Sequence, residues 1–380
     1  MGVLFFEGFE TIGTETGNAN RATTQPRAKK RWTKWEQISP GSLGGGYLVD
    51  GADQGYAWRV PDGSSGDIAR MQYIFPQEVI DEISVPGEQS GQTPNIHIIG
   101  FRVHTRSVAA TLQVVNIGYL SNAGFASFSG TLNLNIVDST DIELRRGGTV
   151  LATAAGCLTA GDWSYIEWKF RISDTGGAQT TNGMSQVRVN GTEVINFTGD
   201  TDPDLFDNTT SRDYIGFNFA LSGGSSTDPT NWWGLDDIYA LFPDGSPPYD
   251  DFLGPVQVVS YPIDGDSTPL DWTPSTGTDH YTLLDENGAV TSDYVESDTD
   301  GQQDQYTITN FEGIGTVFAL KIEAEAINTV GGTPELTVAA GDAGTTYTVD
   351  DTVNTEVFTH YRDLAGFDSV EASIEFGSGF

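Results

Sequence analysis

A chain of 380 residues is too long for one comfortable hydrophobic core and predicts two domains. Its single cysteine, Cys157, excludes internal disulfides, zinc fingers and CxxC redox chemistry, and is expected as a buried small apolar residue. A formal charge of −35, from 53 acidic and 18 basic residues, sets the body of the protein against phosphate backbones and excludes nucleic acid as its partner.

The opening Met1-Gly2-Val3-Leu4 lacks the basic region and cleavage site of a secretory leader, and no apolar run is long enough to span a membrane, so neither export nor membrane insertion is expected. The first predicted element is an apolar strand, VLFFEGF, at 3–9. A polar, turn-rich arm at 19–35 gathers Arg21, Arg27, Lys29, Lys30, Arg31 and Lys34, with Trp32 and Trp35 near its end. Glycines Gly41, Gly44, Gly45 and Gly46 precede short strand candidates at 56–60 and 69–75. From 96 the strands follow one another with Gly/Ser/Asn turns between: 96–105, 110–120, 125–138 and 141–154. In WSYIEWKFRI (163–172), Trp163, Tyr165, Glu167 and Lys169 point one way, and Ile166, Trp168 and Phe170 the other. Asn190-Gly191 between two alternating runs predicts a tight hairpin. Strands at 213–221 and 232–241 complete the first region.

Three prolines in FPDGSPPYDDF (242–252) mark a domain boundary, giving domains at 1–245 and 246–380. Charge changes there too: the second region holds 25 acids against Lys321 and Arg362 alone, a net of −23. Eight strand candidates, at 255–263, 280–286, 304–310, 316–327, 335–341, 345–350, 356–363 and 370–377, read as a second sandwich. TVFALKIEAEAI within that set alternates and is expected as strand, not helix. The fold class expected is all-β, with two β-sandwich domains, the second smaller.

Several of these segments together resemble a known type. LFFEGFE is similar to the first strand of concanavalin A-like (laminin-G-like) jelly rolls in bacteriophage structural proteins. WSYIEWKFRI, QVRVNGTEVINF, DYIGFNFAL and WWGLDDIYAL resemble the later strands of that fold in the same order. DDFLGPVQVVSYPIDGDSTPLDWTPSTGTDHYTLLDE, followed by SDYVESDTDGQQDQYTITN, looks like a linker-plus-sandwich unit attached to such jelly rolls in phage tail and virion proteins. The basic insert at 19–35 and the ending HYRDLAGFDSVEASIEFGSGF depart from that pattern. The resemblance implies a virion location, other virion proteins as partners, homo-oligomeric assembly, and a tail, fibre or baseplate role. The alternatives are a capsid decoration or head-fibre protein, or an adhesin that binds a host surface glycan. Fold resemblance alone settles none of these.

The candidate residues fall into four groups. Glycoside hydrolysis needs two carboxylates across a cleft, and here the IEW segment supplies only Glu167, with no EXDXXE-like run, so no catalytic residue is expected. Asp236 and Asp237 are adjacent and so face opposite sides of a strand; strand-end hydrogen bonding is expected of them, and the alternative is a structural Ca2+ held with Glu7 or Glu10. No other cofactor is expected. Trp232 and Trp233 are core packers or, for one of the pair, a flat platform for a sugar face. The acids at 293, 296, 298, 300 and 304 lack EF-hand spacing and read as a solvated loop. The arm is the strongest local signal: in a strongly negative protein, Arg27, Lys29, Lys30 and Arg31 should seek an acidic neighbouring subunit, with Trp32 and Trp35 as buried anchors. His97 and His104 lie seven residues apart on one strand, on opposite faces, with no metal-ligand spacing.

Overall fold

The computed structural model describes residues 3–8, 34–38, 47–50, 56–61, 68–74, 96–107, 112–120, 128–172, 182–201, 216–222, 232–243, 247–259, 263–284, 292–299, 301–308, 318, 320–325, 335–342, 345–352, 357–362 and 371–377. The strands of the first unit are β1 (Val3–Glu7), β2 (Lys34–Ile38), β3 (Tyr47–Asp50), β4 (Tyr56–Pro61), β5 (Ile68–Ile74), β6 (His97–His104), β7 (Leu112–Leu120), β8 (Phe128–Val137), β9 (Asp141–Arg146), β10 (Thr149–Ala154), β11 (Trp163–Arg171), β12 (Gly183–Val189), β13 (Thr192–Gly199), β14 (Gly216–Ser222) and β15 (Trp232–Leu241). The second unit contributes β16 (Ile263–Leu270), β17 (Thr273–Pro274), β18 (Val295–Glu296), β19 (Gln303–Ile308), β20 (Leu320–Glu325), β21 (Glu335–Asp342), β22 (Thr345–Thr352), β23 (Val357–Arg362) and β24 (Glu371–Gly377). The protein is all-β, and among the described residues no helix is long and apolar enough to cross a membrane.

The first unit is an antiparallel β-sandwich. One sheet runs β13-β12-β11-β6-β15-β4-β3, with β1 also on β15; the other runs β10-β9-β8-β7-β14-β5-β2. Alternation decides what lies between them. Phe101 and Val103 of β6, and Ile166, Trp168 and Phe170 of β11, meet Leu132, Leu134, Phe217 and Phe219 of the facing sheet, all buried. Phe101 stands edge-on to Phe219 at 5.3 Å, and the Trp168 indole donates to Ser185 Oγ at 2.7 Å, so this large core ring leaves no polar atom unsatisfied. The predicted hairpin is present: Asn190 (φ 49°) and Gly191 (φ 79°) are both left-handed, and Asn190 ties the turn to β11 through Tyr165 N–H on its Oδ1.

β15 carries the one irregularity that matters for the site. Its register against β6 slips between Asp236 and Tyr239, and Asp237 has φ 48°. Before the slip Trp233 and Leu235 enter the core; after it Ile238 does, and Tyr239 faces outward. The strand's first half pairs with β4 and its second half with β1.

The division between the compact units falls after Val258, later than the proline-marked 245/246, so residues 247–258 belong to the first unit. The second unit has a five-stranded sheet, β16-β19-β24-β21-β22, and two pairs, β17–β18 and β20–β23. TVFALKIEAEAI contributes strand β20, as its alternation predicts. Two predicted strands are not strands. Residues 255–259 have no ladder, and Tyr281–Leu283 is a 3-10 turn because both carboxylate oxygens of Asp266 accept N–H groups there, from His280 and Tyr281.

Candidate functional site

The outer face of the eight-stranded sheet carries a row of polar and aromatic side chains: Trp163, Tyr165, Glu167 and Lys169 from β11, Arg102 and His104 from β6, and Trp232 and Tyr239 from β15. Residues 247–258 run across part of this row as a strap. Glu167 Oε1 accepts the Tyr239 hydroxyl at 2.7 Å and the Gly254 N–H at 2.8 Å. Glu167 is 1% exposed, and its Oε2 has no hydrogen-bond partner. Burial pushes this carboxyl above its ordinary value, against the lowering effect of its two hydrogen bonds and of Arg188. Burial, then the charge of Glu167, hold the Tyr239 phenol well above its usual range. The Tyr239 ring reaches Glu167 by lying across β6 at Gly100, where any Cβ would overlap it.

Asp237 holds the far end of the strap. Its Oδ1 accepts Val258 N–H at 2.8 Å and its Oδ2 pairs with Arg102 Nε at 3.0 Å, while its carbonyl accepts the Tyr165 hydroxyl at 3.2 Å. On strict alternation from Leu235 this side chain would enter the core. The left-handed backbone at Asp237 instead turns it to the outer face, so the expectation of opposite faces for Asp236 and Asp237 gives way to the bulge. Asp236 Oδ1 accepts the Asp237 N–H, the local hydrogen bonding expected of this pair. Val258 sits so close to Gly8 that a Cβ there would come within 2.7 Å of Val258 Cβ.

Ahead of both anchors in the chain, Asp251 Oδ1 meets Lys169 Nζ at 2.9 Å, and the Phe252 ring centroid lies 4.2 Å from the Arg188 guanidinium carbon. Burial alone would raise the Asp251 carboxyl; the Lys169 and Phe252 N–H bonds and the charges of Lys169 and Arg188 outweigh it and hold it below the ordinary value.

At the other end of the row, His104 stacks on Trp232 with ring centroids 3.8 Å apart and planes 3° from parallel. Trp163 stands edge-on to Trp232 at 5.8 Å, and the cluster closes over Gly234. Trp163 and Trp232 are half-buried, whereas Trp233 is 1% exposed in the core and is no platform for a ligand.

The second unit has its own polar knot. Asp304 is fully buried and accepts Trp272 N–H, His280 Nδ1 at 2.6 Å and the Tyr306 hydroxyl at 2.8 Å. Burial and Asp304 push the Tyr306 phenol up. The reading of 293–304 as a solvated acidic loop therefore fails at its last residue, because Asp304 lies on β19 facing inward, while Glu296 and Asp298 are exposed.

The remaining candidates separate. Arg27, Lys29, Lys30, Arg31, Trp32 and Glu10 lie outside the described residues. Trp35 is on β2 opposite Met71, and Glu7 on β1 opposite Ile238. Among the described residues no group of three or more His, Cys, Asp or Glu is arranged to hold a metal ion. Cys157 is half-buried, with its thiol on the Ala154 carbonyl, and is not the fully buried residue expected. The strap has no short-range signature in the sequence, although both its carboxylate anchors do stand out there, Glu167 as the one acid in an outward row of Trp, Tyr and Lys and Asp237 as a residue expected to hydrogen-bond.

No family model and no curated protein matches the chain. Among solved structures it is similar to the alginate lyase Aly36B (13% identity, TM-score 0.37, covering 62% of this chain and 95% of that one) and to a sialidase (12%, 0.36, 64% and 19%). It is also similar to arcelin-5, a lectin-like defense protein from Phaseolus vulgaris (10%, 0.32, 55% and 97%). These likenesses assign no activity to this chain.

Proposed function

We propose that the chain is a non-catalytic structural component of a bacteriophage virion, in the tail, fibre or baseplate, acting by protein–protein assembly. One observation carries the non-catalytic part. The acids on the sheet's outer face, Glu167 and Asp237, are buried and bonded to backbone N–H groups of the protein's own strap, so they serve architecture. The virion part is supported by the segments that resemble phage jelly rolls and their linker-plus-sandwich units. Homo-oligomeric assembly follows from the charge pattern, with the basic 19–35 arm seeking an acidic second domain of a neighbouring copy. Peptide mass spectrometry and immunogold labelling of purified particles test the reading. The protein should be found in particles at stoichiometric copy number, and its consistent absence from them overturns the proposal.

A second reading, a glycan-binding adhesin, is favoured by the half-buried Trp163 and Trp232 on the outer face, two rings set at 72° to each other with His104 stacked on Trp232, an aromatic corner with a polar edge. A glycan array probed with the intact protein tests it, and Trp232→Ala should abolish any binding seen.

A further inference from the structure

We propose that the strap, residues 247–258, fills a binding site for a carboxylate-bearing oligosaccharide, and that such a glycan displaces it. The inference rests on the glycan-binding reading and names the ligand class. It starts from what the strap covers. A permanent cover buries apolar surface; this one buries Tyr249 alone and otherwise lies on Lys169, Glu167, Arg188, Asp237 and two tyrosine hydroxyls. It leaves Glu167 Oε2 buried with no hydrogen-bond donor. A peptide N–H supplies one donor at a time, and Gly254 supplies only that. The vicinal hydroxyls of a pyranose present two adjacent donors and match both oxygens of one carboxylate.

The strap's other contacts have the chemistry of an acidic sugar. The Asp251 carboxylate sits on Lys169 where a uronate carboxylate would, and Phe252 presents a flat apolar face to Arg188 as the C–H face of a ring would. On the same face of β11, four residues from Glu167, Trp163 opens the aromatic surface it shares with Trp232. At ~3.3 Å per residue that separation is roughly 13 Å, which calls for an oligosaccharide over a single sugar. The strap is also built to leave. It has no strand ladder, Asp250, Asp251, Pro255 and Gln257 are exposed, and side-chain acceptors hold it.

The test uses the full chain, titrated calorimetrically with a size-defined oligogalacturonate and with a neutral maltooligosaccharide of equal length. Because the strap competes for the site, Asp251→Ala with Phe252→Ala should bind the oligogalacturonate about tenfold more tightly than the unaltered protein. Lys169→Ala should lose the preference for the acidic probe, and the conservative Asp251→Asn, which keeps the fold, should shift affinity in the same direction as the double variant. Amide exchange at Gly254 and Val258 should rise when the probe is bound. If the strap variants bind both probes equally, or no more tightly than the unaltered chain, the inference is wrong while glycan binding stands. If no variant binds either probe, both this inference and the adhesin reading fail.

Discussion

At the scale of single residues, two buried ionisable groups set opposite pH dependences. His97, stacked on Phe170 inside the first sandwich, is held by burial at about 3 against an ordinary 6.5. The unfolded chain takes up a proton between these values and the folded chain does not, so stability is full above about pH 6.5 and falls as pH drops toward 3. The loss is on the order of 5 kcal/mol at 1.36 kcal/mol per pH unit. Glu167 is raised, so its contribution runs the other way: it costs stability as pH climbs from its ordinary 4.5 through its folded value. Guanidinium unfolding midpoints measured across pH 3–8 check this. His97→Leu should flatten the acid limb and leave the neutral limb nearly unchanged; an acid limb as steep as that of the unaltered chain would remove His97 as its cause. Trp168, fully buried with its one donor satisfied, should cost about 3–5 kcal/mol on replacement by alanine in the same assay.

At the scale of elements, the turns and the alternation were readable and the irregularities were not. Asn190-Gly191 predicted its hairpin because only a left-handed pair matches the twist of the flanking strands. Gly191→Ala should therefore destabilise the unit by roughly 1–2 kcal/mol, read as a lower thermal midpoint, with the β12–β13 pairing otherwise kept. The rows of β11 fell on the predicted faces because a period of two is local. The bulge at Asp237 is invisible to that rule, since an inserted residue changes the side-chain direction without changing residue type. The strap was hidden for a related reason. Its bonds join Gly254 to Glu167 and Val258 to Asp237, pairings that depend on the folded sheet and leave no short-range pattern. The 3-10 turn at Tyr281 was read as strand because its cause, Asp266, lies fifteen residues upstream of it.

At the scale of the whole molecule, the prolines at 243, 247 and 248 mark where the chain leaves β15, while the first unit extends to Val258. A chain ended at Val258 should keep the unfolding midpoint of the first unit, whereas one ended at residue 245 should lose roughly 1.5–3 kcal/mol for each N–H bond to Glu167 and Asp237 that disappears. Equal midpoints would show that the strap contributes nothing to the unit. The proposed assembly through the basic arm, given a charge of −23 beyond residue 245 and −12 before it, should be salt-sensitive. Replacing Lys29, Lys30 and Arg31 with glutamate should weaken oligomerisation in sedimentation experiments at low ionic strength and leave far-ultraviolet circular dichroism unaltered. Normal assembly of that variant at low and high salt would discard the arm as an interface.

The slip in β15 acts as a phase shifter for everything downstream of it. Odd-numbered side chains point inward before Asp236, even-numbered ones from Ile238 on. Pairing the strand straight through with both aspartates kept, and no residue set aside at the slip, would send Tyr239 toward the interior and Ile238 into solvent, and withdraw the hydroxyl from Glu167 along with the register that seats β1. The loss of this one bulge would thus unfasten the amino-terminal strand from the last strand of the sandwich, although the two are more than two hundred residues apart along the chain.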